Sequence, residues 1–441
     1  MSDRQGWIKP AFFVLFGLLW SSGAGAATDA EDSSAGASAT PAQSVFLEYR
    51  ELPYSVGSWT IPVTLQSAPF KKEPDLGQGK VYRGTLKFGD STKAFVPFVW
   101  DQARGKLHLD LNRNQDLTDD ADGVFASMGG PDNLFQNFGR VHLPFKTPLG
   151  TERVAVDLFF NDFRATLSVT AMAYYCWETK VTQGGQEWQV ALVESLLGKI
   201  GSADNGSLII RPWADRGKAI DLQYGSLDFL PLTAEVFLGQ RACHLDFALA
   251  QQDNKLKYKL NLAERPEQLG ELKITGQYIH RLVLTRMSPG PASGDAAQAA
   301  FAKRYGVAGR AVPARTPSLR VILDSPGPVV RIPVGFYLCQ LSLKQGAVEA
   351  VPLLNFGPNN PNAGLLAVSA TNAATLAFGG PLTNSVAVAR RGRSLALSYQ
   401  LLGARGEAYQ LQGPRKEPEF AIYRPGKSGD KKLASGRFQF G

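Results

Sequence analysis

Strict alternation of polar and apolar residues is the feature that most constrains how this chain folds. Between Lys255 and Leu262, three lysines and an asparagine alternate with three leucines and a tyrosine. Successive side chains of a β-strand point to opposite faces of the sheet, so a period of two predicts a strand with one buried face.

The same period of two recurs from Val45 onward, in short runs separated by Gly, Pro, Asn and Asp. Residues 154–160 and 164–170, for example, flank an Asn161-Asp162 pair, which predicts a β-hairpin with its turn at that pair. No apolar pattern of helical period extends convincingly beyond about 12 residues, the length at which a helix becomes evident. The sequence therefore predicts a mainly β protein.

The length of the chain and the spacing of its turns predict how the strands are divided. A chain of 441 residues corresponds to two or three domains at about 150 residues each, and we expect these to be β-sandwich-like. The N-terminal body covers residues 44–286, with an internal break near 150–200. Short strands about ten residues apart favour an immunoglobulin-like sandwich over residues 318–441.

Residues 287–317 interrupt the strand pattern with a high density of Ala, Gly, Pro and Ser. They form either a linker between domains or a long insertion at the tip of a hairpin. Residues 281–285 and 318–323 are strand-like on both sides, and loop length costs little in closure entropy. The insertion is the interpretation we favour.

The first 26 residues have the three parts of a cleavable secretory signal. Arg4 and Lys9 supply the positive end, residues 11–20 are apolar, and Ala24-Gly25-Ala26 is a small-residue cleavage pattern. The alternative is a buried or membrane-anchoring helix. We expect residues 27–43 to be a disordered linker, and the mature chain to be secreted or periplasmic without a transmembrane segment.

The positive charge of the chain is concentrated near its C-terminus. From Arg390 onward, eleven Lys and Arg stand against four Asp and Glu, and the whole chain carries a net charge of +8. Such a region favours an anionic polysaccharide or an envelope surface as partner. A solvated basic face that binds nothing is the alternative, and nucleic acid is not an expected partner outside the cytoplasm.

The three cysteines, Cys176, Cys243 and Cys339, lie far apart and form no Cys-x-x-Cys pair. This spacing excludes a disulfide scaffold for a chain of this length. Buried free thiols are expected, with one disulfide as the alternative. The tryptophans of the mature chain fall in strand-like runs and are expected in the cores: Trp59, Trp100, Trp177, Trp188 and Trp213.

Residues 110–120 place oxygen-bearing side chains at loop positions 1, 3, 5, 7, 9, 10 and 11. Calcium is a hard cation that takes six to eight oxygen ligands, and a loop with oxygens at alternate residues can curl them around one ion. The segment resembles the Asp-x-Asn-x-Asp-Gly class of EF-hand-like calcium loops of secreted bacterial proteins, over about twelve residues. The candidate ligands are Asp110, Asn112, Asn114, Asp116, Thr118, Asp119 and Asp120.

The resemblance implies side-chain ligands at the first three positions, a backbone carbonyl from Asp116, and a closing carboxylate from Asp119 or Asp120. The loop departs from the family pattern at three positions: Asn114 stands at position 5, Gln115 replaces the glycine at position 6, and Ala121 replaces the glutamate at position 12. We therefore expect weak Ca²⁺ binding, with a dissociation constant on the order of 10⁻⁴ to 10⁻³ M. The alternative is an Asn/Asp-rich turn without a ligand.

The sequence contains none of the common catalytic motifs, such as Gly-x-Ser-x-Gly or His-Glu-x-x-His. His108 precedes the loop and is expected to face solvent. The leading functional hypothesis is an exported, non-enzymatic binding or structural protein of the envelope or the extracellular space. A secreted hydrolase of polysaccharide or peptide is the alternative, and a cleft lined by two carboxylates or an acid of shifted pKa would favour it.

Overall fold

The computed structural model describes residues 41–89, 95–131, 133–163, 166–198, 206–220, 227–232, 235–288, 316–352, 366–392, 394–411, 417–425 and 429–438. Within these ranges the chain is built from strands, and its only helical elements are two three-residue 3-10 turns, Ala121–Gly123 and Trp213–Asp215. The predicted mainly β fold is confirmed. No helix in the described ranges has the length and hydropathy needed to cross a membrane. The predicted signal peptide and residues 27–40 lie outside the described residues.

Thirty-one strands are numbered in chain order. The first eleven are β1 Pro41–Phe46, β2 Glu48–Glu51, β3 Gly57–Ile61, β4 Val63–Leu65, β5 Val81–Lys87, β6 Phe95–Asp101, β7 Lys106–Leu109, β8 Val124–Ala126, β9 Phe135–Thr147, β10 Gly150–Phe163 and β11 Thr166–Ala173. The next nine are β12 Tyr175–Gln183, β13 Gln186–Val193, β14 Ser207–Pro212, β15 Phe229–Pro231, β16 Glu235–Leu238, β17 Arg241–Gln252, β18 Lys255–Arg265, β19 Leu269–Ile274 and β20 Ile279–Ser288. The remainder are β21 Thr316–Asp324, β22 Val329–Pro333, β23 Gly335–Gln345, β24 Val348–Pro352, β25 Leu366–Val368, β26 Ala374–Leu376, β27 Thr383–Arg391, β28 Ser394–Leu402, β29 Ala408–Leu411, β30 Glu419–Arg424 and β31 Lys431–Arg437.

The largest sheet contains twelve strands in the order β1-β18-β17-β16-β21-β20-β23-β24-β29-β28-β27, with β25 also paired to β23. All its pairs are antiparallel except β16 with β21. Two five-stranded sheets have the orders β15-β14-β13-β12-β2 and β4-β5-β6-β7-β8, and a four-stranded sheet has the order β3-β11-β10-β9. A three-stranded sheet, β22-β19-β26, and the β30-β31 hairpin complete the described structure.

Alternating burial along the strands matches the alternation in the sequence. On β18, Tyr258, Leu260 and Leu262 are buried, whereas the residues between them are partly exposed. On β20, Leu282 and Leu284 pack into one core and Val283 packs into another. The twelve-stranded sheet is therefore covered on both faces at its centre, which explains why β20 is continuously apolar there.

Three hydrophobic cores lie between facing sheets, as expected of sandwich-like packing. One joins β6, β9 and β10, where the Phe160 ring lies 5.4 Å from that of Phe98 and 5.7 Å from that of Phe138. A second contains Trp188 and Tyr258, and a third lies on the other face of the twelve-stranded sheet. The immunoglobulin-like arrangement of residues 318–441 stays a prediction.

The strands on either side of residues 287–317 pair directly with each other. Strands β20 and β21 are antiparallel, with Arg281 opposite Asp324 and Ser288 opposite Thr316. This pairing is that of a hairpin with an inserted connection, although residues 289–315 lie outside the described ranges. At the N-terminus, β1 begins at Pro41, inside the segment expected to be a linker.

The hairpin predicted from Asn161-Asp162 exists, but its turn lies further along the chain. Strand β10 continues to Phe163, and Asn161 and Asp162 pair with Ser168 and Leu167 of β11. The turn prediction is wrong by at least two residues because Asp162 is buried in an ion pair with Lys80 and therefore belongs to the strand.

The cysteines and tryptophans occupy mainly interior positions. All three cysteines are free thiols; Cys176 and Cys243 are buried and Cys339 is partly buried. Burial raises the pKa of the Cys176 thiol to about 12, so it is neutral near pH 7. Trp100, Trp177 and Trp188 are buried, as expected, whereas Trp59 and Trp213 are partly exposed.

Candidate metal-binding loop and adjoining cleft

The candidate calcium loop connects β7 to β8, two neighbouring antiparallel strands. His108 lies opposite Val124 at the last paired position, and the chain between them bulges out as the loop. The Asp110 backbone N–H donates to the Pro97 carbonyl on β6 at 3.0 Å, so the start of the loop is fixed to the sheet. The 3-10 turn Ala121–Gly123 then leads the chain back into β8.

Asp110, at loop position 1, is fully buried. One carboxylate oxygen accepts the backbone N–H of Asn114 at 3.1 Å, and the other accepts that of Gln115 at 2.8 Å. A buried carboxylate needs such donors to offset the loss of hydration. These two bonds pull positions 5 and 6 toward position 1 and give the loop its curvature.

The polar side chains at alternate positions continue this curl. Each of Asn112, Asn114 and Asp116 accepts the backbone N–H two residues ahead, at 3.0, 2.6 and 3.0 Å respectively. Gln115 adopts a φ of +69°. This is the left-handed conformation that the family glycine at position 6 would supply, at a cost of about 1 kcal/mol for a side-chain-bearing residue.

The two candidates for the closing carboxylate have different hydrogen-bond partners. The oxygens of Asp119 accept the side-chain amides of Asn112 at 3.1 Å and of Asn114 at 2.7 Å. Asp120 instead accepts the backbone N–H of Leu111 at 3.0 Å. Asp119 therefore contacts the side chains at positions 3 and 5, whereas Asp120 contacts the backbone at position 2.

The side chains of Asp116 and Thr118 point away from this arrangement. The Asp116 carboxylate forms an ion pair with Lys72 at 2.7 Å and also accepts the Thr118 hydroxyl. These bonds lower the pKa of Asp116 to about 2. With its carboxylate paired in this way, Asp116 would offer a cation its backbone carbonyl, as the resemblance implies.

The donor set of the loop suits calcium, but its carboxylates are not tightly clustered. In the described ranges, the one group of three His, Cys, Asp or Glu side chains with ligand atoms all within 4.8 Å of one another lies elsewhere. The loop offers a mixture of amide and carboxylate oxygens, which are the hard ligands that Ca²⁺ prefers.

A cleft of about 680 Å³ adjoins the loop. Asp119, Asp120 and Asp122 line it from the loop side, and His142 on β9 and Arg153 on β10 line it from the other side. The remaining lining residues are Leu111, Asn112, Ala121, Phe125 and Pro144. Sequence reasoning missed His142 and Arg153 because only the pairing of β9 with β10, at a distance from the loop in sequence, brings them here.

One of the acidic groups that line the cleft has a shifted pKa. The pKa of Asp120 is raised, mainly by burial and further by the negative charges of Asp110 and Asp119. His142 Nε2 lies 2.9 Å from a Glu51 carboxylate oxygen. The cleft thus contains both a carboxyl group that holds its proton more readily than usual and the cationic side chain of Arg153.

His108 does not face solvent, and that prediction is wrong. It is 6% exposed, on a strand flanked by β6 and β8. Burial and the nearby Lys106 lower the pKa of its imidazole. Asp110, two residues further along, is buried as well, so the end of β7 and the start of the loop lie in the interior.

A second cluster of possible ligands joins Asp215, His280 and Asp324, residues far apart in sequence. The Arg281 guanidinium already lies among these carboxylates: Nη2 is 3.7 Å from Asp215 and 3.4 Å from Asp324. Lys218 also pairs with Asp215. Because cationic side chains already offset these negative charges, we interpret the cluster as a structural ion network rather than a metal site.

A buried acid lies beside the cleft residue Arg153. Both carboxylate oxygens of Glu152 are buried without a hydrogen bond of acceptable geometry. Burial, followed by the negative charge of Glu194, raises its pKa to about 8, and the Thr147 hydroxyl only partly opposes this shift. Glu194 is fully buried and accepts hydrogen bonds from Trp177 and Tyr258.

Comparison of the chain with models of known protein families, with curated proteins and with solved structures found no match. The functional argument therefore depends on the sequence and on the geometry described above.

Proposed function

We propose that this chain is an exported, non-enzymatic binding or structural protein of the envelope or the extracellular space, stabilised by one Ca²⁺ in the loop at residues 110–120. The observation that carries the proposal is the buried Asp110 carboxylate, which curls the loop so that Asp119 faces Asn112 and Asn114. The export part of the proposal is supported by the signal-like pattern of residues 1–26.

A divalent cation would relieve an electrostatic cost of this loop. Asp110, Asp119 and Asp120 lie close enough for the first two to raise the pKa of the third. Asp116 already has Lys72 as its counter-ion. Calcium bound beside Asp110 and Asp119 would offset the repulsion and replace the two amide contacts of Asp119 with stronger ligand bonds.

Calcium is expected to raise the melting temperature of the protein, because a ligand that binds only the folded state stabilises it. At ten times the dissociation constant the gain is about 1.4 kcal/mol, and magnesium should give less. Asp110→Ala and Asp119→Asn should abolish the calcium response. The matched control is Asp116→Asn, which alters a carboxylate paired with Lys72 and should keep it. A melting curve that is the same in chelator and in excess calcium would contradict the proposal.

The basic C-terminal region supports a further part of this proposal, an anionic polysaccharide or envelope surface as partner. Within the described residues, Arg424, Lys431, Lys432 and Arg437 are exposed on the β30-β31 hairpin. Arg437 pairs with Glu419, so part of this charge is offset. The other exposed basic side chains of the hairpin are accessible to a polyanion.

A hydrolase that uses the cleft is the second candidate, favoured by one observation. Three carboxylates line the cleft and one of them, Asp120, has a raised pKa. Glycoside hydrolysis needs one carboxyl group that donates a proton and another that is ionised. The prediction is hydrolysis of a polysaccharide that Asp120→Asn lowers at least about a hundredfold, the usual contribution of a general acid. Absence of turnover on a panel of polysaccharides would exclude this candidate.

A further inference from the structure

Strand β27 forms one edge of the twelve-stranded sheet. It pairs without interruption with β28, from Thr383 opposite Leu402 to Arg391 opposite Ser394. In the described part of the chain no strand pairs with its other side. An unpaired edge presents a row of backbone donors and acceptors to which another strand can add.

This edge has few of the features that usually prevent strand addition, and its two charged residues, Arg390 and Arg391, are both at one end. The nine residues Thr383–Arg391 contain neither Lys nor Pro and no bulge. Lysine, proline and bulges are the common means by which edge strands avoid pairing. Val386 and Val388 are 44% and 63% exposed, so two β-branched side chains of high strand propensity stand uncovered at this edge.

The exposed valines belong to a larger apolar face. Val386 lies opposite Tyr399 and Val388 lies opposite Leu397 on β28, so all four side chains share one face of the hairpin. Leu395, on the same face, is 52% exposed. Among the described residues, Phe438, which directly follows β31, covers one end of this face, with its ring 5.4 Å from that of Tyr399.

We propose that β27 pairs antiparallel with β27 of a second copy of this chain, about a two-fold axis at Ala387. In this register Val386 lies opposite Val388 of the second copy, and the reverse pair is formed by symmetry. A self-complementary patch of this kind is what a two-fold interface requires. The proposal goes beyond the calcium loop and the cleft, which lie on other sheets.

The charges of β27 favour the antiparallel orientation. The strand carries Arg390 and Arg391 at one end only. A parallel pairing would place these arginines opposite their own copies, and like charges directly opposite each other are destabilising. Antiparallel pairing about Ala387 places Arg390 of each copy opposite Asn384 of the other. The arginines of the two copies then lie at opposite ends of the interface.

The contact is small, so the dimer should be weak. One pair of nine-residue strands buries less than the roughly 1,600 Å² of a standard interface, which places it among transient complexes. We expect a monomer–dimer equilibrium that depends on concentration, measured on the full mature chain by sedimentation velocity. Val388→Lys should weaken dimerisation at least about tenfold. The two-fold symmetry repeats the substitution, so each copy places a lysine opposite Val386 of the other.

The matched control is Val329→Lys. Val329, on β22, is 52% exposed and lies in a different sheet. Its substitution should leave the equilibrium unchanged. A chain that stays monomeric at every concentration would overturn the proposal, as would a dimer that Val388→Lys does not weaken, including one formed through another surface.

Cross-linking tests the register independently of any loss of folding. Residue 387 lies on the proposed two-fold axis, so Ala387→Cys should form an intermolecular disulfide under mild oxidation. Ala389→Cys should not, because the two copies of residue 389 are four positions apart along the paired strands. Cross-linking through residue 389 and not through residue 387 would show that the register is wrong.

Discussion

Replacing Arg281 by methionine is expected to lower the free energy of unfolding by about 3 kcal/mol. Arg281 is 3% exposed, and its Nη1 lies 2.6 Å from the Asp228 carboxylate. The same guanidinium contacts Asp215 and Asp324. Methionine preserves most of the side-chain volume, so the loss of stability reports the removal of a positive charge from beside three partly buried carboxylates.

The effect should be large because the network joins two sheets. Arg281 lies on β20 of the twelve-stranded sheet, whereas Asp215 and Asp228 flank the strands β14 and β15 of a five-stranded sheet. Burial raises the pKa of Asp228, against the opposing effect of Arg281 and then of Arg211. Removal of Arg281 leaves Arg211, at 3.7 Å, as a weaker partner.

Urea denaturation of the two proteins at pH 7 measures this difference. Arg265→Met is the matched control, because Arg265 is 55% exposed in an ion pair with Glu235, and its loss should cost less than about 1 kcal/mol. Adding Asp228→Asn to Arg281→Met should recover part of the stability. Equal losses in the Arg281 and Arg265 variants would refute the interpretation of the cluster as a structural ion network.

Replacing Glu152 by glutamine is expected to stabilise the protein at alkaline pH and to have little effect at acidic pH. The folded state raises the Glu152 pKa from 4.5 to about 8, so between these values it binds a proton that the unfolded chain has released. The free energy of unfolding therefore falls as the pH rises from about 4.5 to about 8, and this contribution then levels off. Glutamine retains the shape of the neutral acid and has no proton to lose.

The difference between the two proteins should reach about 3 kcal/mol above pH 8, after allowance for partial exposure of the side chain. Urea midpoints measured from pH 4 to pH 9 give its full pH profile. Glu187→Gln is the control: Glu187 is 51% exposed and pairs with Lys180 on the surface, so its effect should stay below about 1 kcal/mol at every pH. A difference between wild type and Glu152→Gln that does not change with pH would show that Glu152 is ionised in the folded protein.

The strands could be predicted from the sequence because alternation is a local signal. β18 was expected from its lysines and leucines, and the burial of Tyr258, Leu260 and Leu262 follows that pattern. Which strands pair with each other is not a local property, so pairs of strands that are far apart in the sequence could not be predicted. No pattern around Phe237 indicates that β16 pairs in parallel with Val321 and its neighbours on β21.

The curl of the candidate loop could be predicted from the sequence, whereas its surroundings could not. Oxygen-bearing side chains at alternate positions predicted that the chain curls at Asp110, Asn112 and Asn114. In the structure, the Asn114 backbone N–H contacts the side chains of the other two residues. Asp119 and Asp120 have different hydrogen-bond partners because their side chains point in different directions. Spacing in the sequence does not specify these directions. The cleft depends on His142 and Arg153, whose position is set by tertiary pairing.

The position of β1 has a consequence for how the chain reaches its folded state. Val45 of β1 pairs with Leu260 of β18, more than two hundred residues further along the chain. During synthesis from the N-terminus, β1 emerges before every other described strand, and its partner β18 emerges only after sixteen further strands. Contacts of such long sequence separation slow folding. Until β18 is complete, Val45 and Phe46 are exposed to other chains, so early folding intermediates should aggregate more readily than the folded protein.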